Sequence, residues 1–250
     1  YPVLRGVAGL RGEADLVEDW PQMWSGTSSM HTGPLALTAT GEALRWEQMS
    51  IESDTVRRDA LLDQTLRFRV GALQFDDARL GDAGLTFSMK GIDGAALSHV
   101  VEVASRSATV PPQASEAEVQ QALMQSAEII IAGTPSVAID HLGLSVLQAD
   151  DLRGRIALSL KPSALNPPNW MQLPERLQVE GDALLRLDAM NRLFRIVSAA
   201  ELRGQDLSEA EVRQIADARF ADWLQRMREL PYVAVDAEAV RTDIGYVDGM

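Results

Sequence analysis

The chain has 250 residues, 46% hydrophobic and 24% charged, with 23 basic against 36 acidic side chains and a net charge of −13. That balance excludes a general nucleic-acid binder, which needs clustered Lys and Arg against phosphates, and it opposes docking on anionic lipid headgroups. No cysteine is present, so disulfides, thiolate metal sites and cysteine nucleophiles are excluded, while the apolar share is enough for a packed core.

The sequence opens on Tyr1 and contains no apolar run of about 18 residues that would span a bilayer. It also has no basic-then-apolar leader. The expectation is a processed form or a fragment, with any targeting segment upstream. Lys90 and Lys161 are the only lysines, against 21 arginines, a bias that reads as genome composition.

In chain order, the first thirty residues show no clear period, and Ser25-Gly-Thr-Ser-Ser29 reads as a loop. From Gly33, Leu35, Leu37 and Ala39 alternate with Ala36, Thr38 and Thr40, a strand pattern. Gly41-Glu42 reads as a turn. Leu44 and Trp46, then Met49 and Ile51, read as one second strand with a bulge at the change of phase. Leu66-Arg-Phe-Arg-Val70 and Leu85-Thr-Phe-Ser-Met89 alternate cleanly, with Gly81 and Gly84 in the connection.

Asp93 is a helix N-cap ahead of Ala96, Leu97, Val100, Val101 and Ala104 at helical spacing. Ser115-Glu-Ala-Glu118 is a capping box, and Gly133 with Pro135 closes the helix it opens. Val137 and Ile139 begin a strand that Leu142, Leu144 and Val146 continue in opposite phase. Asp150-Asp-Leu-Arg-Gly154 reads as a turn into a strand to Leu160. Pro162 to Pro174 is irregular. A strand from Leu177 to Leu187 leads to a helix capped by Asp188. Ser208-Glu-Ala-Glu211 opens the longest helix, which carries Val212, Ile215, Ala216, Phe220, Trp223, Leu224 and Met227 on one face. Pro231 stops it before the strand region of Val233 and Val235.

These segments recur. Ser115-Glu-Ala-Glu-Val-Gln-Gln121 matches Ser208-Glu-Ala-Glu-Val-Arg-Gln214 at six of seven positions. Pro135-Ser-Val-Ala-Ile-Asp140 corresponds to Pro231-Tyr-Val-Ala-Val-Asp236, and Asp93 to Asp188, at offsets of 93, 96 and 95 residues. Ordered matches at near-constant offset predict a tandem strand-strand-helix-helix-strand duplication. The predicted fold is α+β, with curved, mainly antiparallel sheets and paired amphipathic helices on one face. Its parts are residues 1–59 as strands completing a sheet, 60–150 as the first unit and 151–250 as the second, in one elongated body.

Catalytic signatures are missing. His31, His99 and His141 have no partners at metal-ligand spacing, and Asp140-His141 are strand neighbours that face opposite sides. Asp76-Asp77, Asp150-Asp151 and the Asp236, Glu238, Asp243 set lie near turns without the oxygen spacing of a calcium loop, and read as solvated surface. No phosphate loop, dinucleotide fingerprint or nucleophile elbow is present. A glycosidase carboxylate pair leaves no spacing signature, so Asp76, Asp140 and Asp150 stand as candidates for an envelope glycan hydrolase. Trp20, Trp24 and Trp170 read as lids over a sheet end, and Trp223 as core.

The chain resembles the YdgA-like family of bacterial envelope proteins. The resemblance rests on Leu66-Arg-Phe-Arg-Val-Gly-Ala-Leu-Gln-Phe75, Leu85-Thr-Phe-Ser-Met-Lys-Gly-Ile-Asp-Gly-Ala-Ala-Leu97, Pro135-Ser-Val-Ala-Ile-Asp-His-Leu-Gly-Leu144 and Ile244-Gly-Tyr-Val-Asp-Gly249, and covers most of the chain from Gly33 onward. It implies a periplasmic, soluble part of an inner-membrane-anchored protein, with membrane contact only through an N-terminal anchor that this sequence lacks. A weaker similarity extends to AsmA-type envelope proteins, which are linked to lipid handling. No catalytic residue, cofactor or metal comes with the family. The expectation is a non-catalytic binding or assembly module. Its partner is a lipid or an envelope protein, or the chain self-associates through a sheet edge. If the ligand is apolar, Phe68, Phe87 and Leu144 line its groove.

Overall fold

Period-two segments dominate the sequence, and they assemble as antiparallel strands in a computed structural model that describes residues 3–5, 10–39, 42–75, 78–107, 116–147, 150–162 and 173–246. The elements are β1 (Val3–Arg5), β2 (Arg11–Trp20), β3 (Met23–Thr32), β4 (Leu35–Ala39), β5 (Glu42–Trp46), β6 (Gln48–Arg58), β7 (Leu61–Gly71), β8 (Gln74–Phe75), β9 (Ala78–Arg79) and β10 (Ala83–Asp93). There follow α1 (Gly94–Ser107), α2 (Glu116–Ala132), β11 (Ser136–Leu144), β12 (Leu152–Leu160), α3 (Leu173–Arg176), β13 (Leu177–Arg186), α4 (Leu187–Glu201), α5 (Glu209–Glu229), β14 (Val233–Val235) and β15 (Ala239–Tyr246). One sheet has ten strands in the order β14-β15-β13-β12-β11-β10-β7-β6-β3-β2, and a second has five in the order β1-β4-β5-β8-β9. The protein is α+β with antiparallel sheets.

Two local expectations are corrected here. The first thirty residues contain a long hairpin, β2–β3, turned at Pro21–Gln22. Its Ser- and Thr-rich strand hides the period because β3 is held by ladders on both sides, to β2 and β6, rather than by an apolar stripe. The phase change after Trp46 is no bulge. It is a break at which the chain leaves the small sheet (β5) and enters the large one (β6). The phase change in β11, by contrast, is a true bulge: Ile139 pairs with Phe87 and His141 with Thr86, which leaves Asp140 as the extra residue.

Helix starts follow local chemistry. Asp93 Oδ1 accepts from the Ala96 amide at 2.9 Å, closing the first turn of α1. Asp188 is a correction. It lies inside the first turn of α4, whose N-cap is Arg186 without a side-chain bond, and it forms an ion pair with Arg186. The box at Ser208 is complete in both directions, with the Ser208 hydroxyl accepting from the Glu211 amide and the Glu211 carboxylate from the Ser208 amide. Ser208→Ala is expected to cost about 1 kcal/mol of stability, read by urea unfolding. Ser115, the corresponding residue before α2, lies outside the described residues.

Register places the helix pairs. Lys90, Ser136, Ser159 and Gln178 share one level of the sheet, and Ala83, Leu144, Leu152 and Leu185 share the other. α1 leaves the first level and α4 the second, so the pairs α1–α2 and α4–α5 start from opposite ends of the strands. Burial concentrates there. Among the described residues, the buried hydrophobic side chains lie in helices, at strand ends or just beyond them: among them Leu62, Ile92, Ala96 and Val103 towards α1, and Leu80, Val146, Ala189, Ala239 and Val240 towards α4. Leu193 and Ile196 of α4 pack with Leu144 and Leu152 against Leu80, Val146 and Ala189. α5 packs on α4 through Phe194, Phe220 and Trp223, whose ring centroids lie 5.8 to 5.9 Å apart. The helices therefore leave the middle of the sheet uncovered. An antiparallel sheet with no layer on its apolar face is unusual and needs an explanation.

Buried polar groups tie the ends together. Asp151, fully buried in the turn before β12, accepts from the Val146 and Leu147 amides and lies 3.3 Å from the Arg186 guanidinium. Arg176, 5% exposed, donates to the Lys161 carbonyl and to the Gly133 carbonyl just past the end of α2, where the helix dipole favours a cation. In the turn before β15, Asp236 accepts from the Glu238 and Ala239 amides and pairs with Arg241, and the two amides hold its carboxyl below the usual carboxylate range. A depressed folded value gives stability that is present at neutral pH and lost as pH falls through the carboxylate range. Melting temperatures of the wild type and Asp236→Asn, apart at pH 7, are expected to converge below about pH 4.

Candidate functional site

Side chains alternate across each strand, so register decides which residues share a face. The row Leu66, Phe87, Ile139, Ile156, Gly181, Ile244 runs across β7, β10, β11, β12, β13 and β15. A parallel row on the same face holds Ile51, Phe68, Leu85 and Leu142, and a third holds Met89, Val137, Leu158, Val179 and Tyr246. Nearest α4, a fourth contains Met49, Val70, Ala83, Leu144, Leu152, Leu185 and Val240. At about 4.8 Å per strand, the row from Leu66 to Ile244 extends about 24 Å. The bulge at Asp140 keeps Ile139 and Leu142 on this one face despite their odd spacing.

This face is apolar and open. Leu142 is 53% exposed, and Ile156, Leu158 and Ile244 are 41, 42 and 40% exposed. Phe68, Phe87 and Leu144 all belong to it and are half-buried, with Leu144 at its α4 end. The opposite face is polar. It carries Arg67 and Arg69 on β7, Thr86 on β10, His141 on β11, and the ion pair of Arg155 with Asp182, which raises the Arg155 pKa. The sheet thus separates an apolar from a charged surface by one backbone thickness.

The other residues singled out in the sequence do not converge. His31 is exposed on β3 and His99 on α1. Asp140 is exposed at the bulge, Asp150 reaches His141 at 3.7 Å across the β11–β12 turn, and Asp76 and Asp77 lie outside the described residues. Trp20 stacks with Arg57 at 4.8 Å and stands over Gly94 at the start of α1, so it does cover a sheet end. Trp24 is 46% exposed, and Trp170 lies outside the described residues. Among the described residues no group of three His, Asp or Glu side chains could hold a metal ion, and no helix is long and apolar enough to cross a membrane.

What sequence reasoning missed is how much of the apolar face stays open. Its signal was present as five apolar alternations on strands that turn out to be neighbours. Only the pairing order shows that no helix stands over their middle.

A family model described as a bacterial protein of unknown function, DUF945, matches residues 5–250. DUF945 is the YdgA-like family that the strand motifs resemble. No curated protein and no solved structure matches the chain.

Proposed function

The chain belongs to DUF945, a bacterial family of unknown function, and on that premise we propose that it is a non-catalytic binding module of the cell envelope whose open sheet face holds the acyl chains of a lipid. The observation that carries this reading is the uncovered patch of Leu142, Ile156, Leu158 and Ile244 on one face, between two helix-capped ends. Exposing that much contiguous aliphatic surface is costly unless something apolar covers it. A row of about 24 Å exceeds the ~15 Å that an acyl chain spans in one leaflet, so a chain can lie across the strands without reaching either rim. The net charge of −13 favours a zwitterionic or uncharged lipid over an anionic one.

The family resemblance supports a periplasmic setting, in a parent protein held at the inner membrane. The order β7-β10-α1-α2-β11 followed by β12-β13-α4-α5-β15 supports the reading of two copies of one unit, each adding strands to a common face.

Native mass spectrometry and lipid extraction of the protein from bacterial lysate are expected to show co-purified phospholipid or fatty acid, and a fluorescent fatty acid is expected to bind the delipidated protein. Absence of both would sink the reading. Assembly through a sheet edge has one supporting observation. β2 is an edge strand of ten residues, exposed over Arg11 to Glu18. Its acidic Glu13, Asp15 and Glu18 oppose pairing with its own copy, however. Light scattering that shows a concentration-dependent dimer would favour assembly.

A further inference from the structure

We propose that the polar face carries a second site, a saccharide-binding depression over β7, β10 and β11, separate from the apolar face behind it. The depression encloses about 500 Å³, within the range of small-ligand sites. Its floor is formed by two glycines and the His141 ring. Gly84 and Gly143 are direct cross-strand partners, flanked in the same row by Arg69 on β7 and Arg153 on β12. The His141 ring lies over both glycines. A β-carbon on Gly143 would stand 2.5 Å from His141 Nε2, and one on Gly84 would stand 3.7 Å from His141 Cδ2. Asp150 approaches the same imidazole at 3.7 Å. It is one of only four non-glycine residues with positive φ among those described, at 54°, and Ala72, at 49°, is another, next to the depression. The left-handed backbone at Ala72 is held by its amide donating to Asp82 Oδ1.

The lining selects the ligand. Arg69 only donates, Asp82 and Asp150 only accept, and Gln48 and Thr86 do both. One cation against two carboxylates repels phosphate and carboxylate ligands. A ligand whose every hydroxyl both donates and accepts matches the mixture, and the His141 ring, seated close to the sheet over the two glycines, leaves the depression above it open to a sugar ring. Neutral or amino sugars are the class that fits. Because these side chains point away from Phe68 and Leu85, a sugar here and an acyl chain on the other face would bind independently.

The test is an amide-resolved NMR titration of the full chain with the tetrasaccharides of glucose and of N-acetylglucosamine, and with inorganic phosphate as a control. The expected result is saturable shifts at Gly84, Gly143 and Asp150 with a tetrasaccharide at millimolar concentration, and none there with phosphate. Gly84→Ala raises the floor with a methyl at ordinary contact distance, so the fold is kept. Together with Asp150→Asn it is expected to weaken binding about tenfold. The proposal is overturned by no shift with either sugar, by saturation with phosphate at the same amides, or by sugar shifts that both variants leave unchanged. None of these outcomes bears on lipid binding at the opposite face.

Discussion

Leu142→Glu combined with Ile156→Glu is expected to lower the affinity for a fluorescent fatty acid at least tenfold while leaving the unfolding midpoint within about 0.5 kcal/mol of wild type. Both halves follow from exposure. The two side chains are 53 and 41% exposed, so replacing them removes little burial from the fold. They also sit in adjacent rows at the centre of the face, where a chain lying across the strands must pass. Each methylene is worth about 0.8 kcal/mol when fully buried and about half that on an open face. A dozen methylenes then yield about 5 kcal/mol, and a single chain binds in the sub-millimolar range, where fluorescence reads it. A carboxylate under that chain must be desolvated without a partner, which exceeds the ~1.4 kcal/mol that a tenfold loss requires. Val17→Glu on the outer edge strand, at a side chain 63% exposed, is the control and is expected to change nothing. Equal binding by the double variant and wild type would show that the ligand, if any, lies elsewhere.

Leu62→Ala is expected to cost about 2–5 kcal/mol, against less than about 1 kcal/mol for Leu158→Ala. Both truncate a leucine in a strand of the same sheet. Leu62 is fully buried where β7 meets Ile92 and the first turn of α1, and its removal leaves a cavity. Leu158 is 42% exposed on a central strand, and water already reaches it. Urea unfolding of the two variants reads the difference directly. Equal costs would mean that something covers the middle of the sheet after all, and with it the open-face reading would go.

Much of the architecture was legible in the sequence, for reasons that differ by element. The strands around Leu66–Val70 and Leu85–Met89 were readable because one wet face and one apolar face impose a strict period of two, arginine against phenylalanine. The start of α5 was readable because a capping box is a local exchange in which the Ser208 and Glu211 side chains each accept from the other's backbone amide. The β2–β3 hairpin was not. Its Ser-Gly-Thr-Ser-Ser stretch is held by ladders to neighbours on each side, and backbone hydrogen bonds leave no mark in side-chain hydropathy. Two phase changes that look alike in sequence, after Trp46 and after Ile139, resolve differently. One is a change of sheet and the other a bulge, because the choice depends on which strand is alongside.

The site divides along the same line. Phe68, Phe87 and Leu144 were each identifiable as apolar strand residues, and register joins them on one face. His141 and Asp150 come within 3.7 Å across a turn, a proximity that nine residues of separation do not announce. By itself the sequence determined the strand-and-helix vocabulary, the acidic surface, the absence of cysteine chemistry and the family. These follow from composition and from interactions within about one turn or one strand. The tertiary structure alone decided the strand order, the placing of the helix pairs at opposite ends and hence the open apolar face. Cover depends on where a helix stands above a sheet, and that is set by long-range packing at Ala189, Val146 and Leu62, not by the helix's own residues.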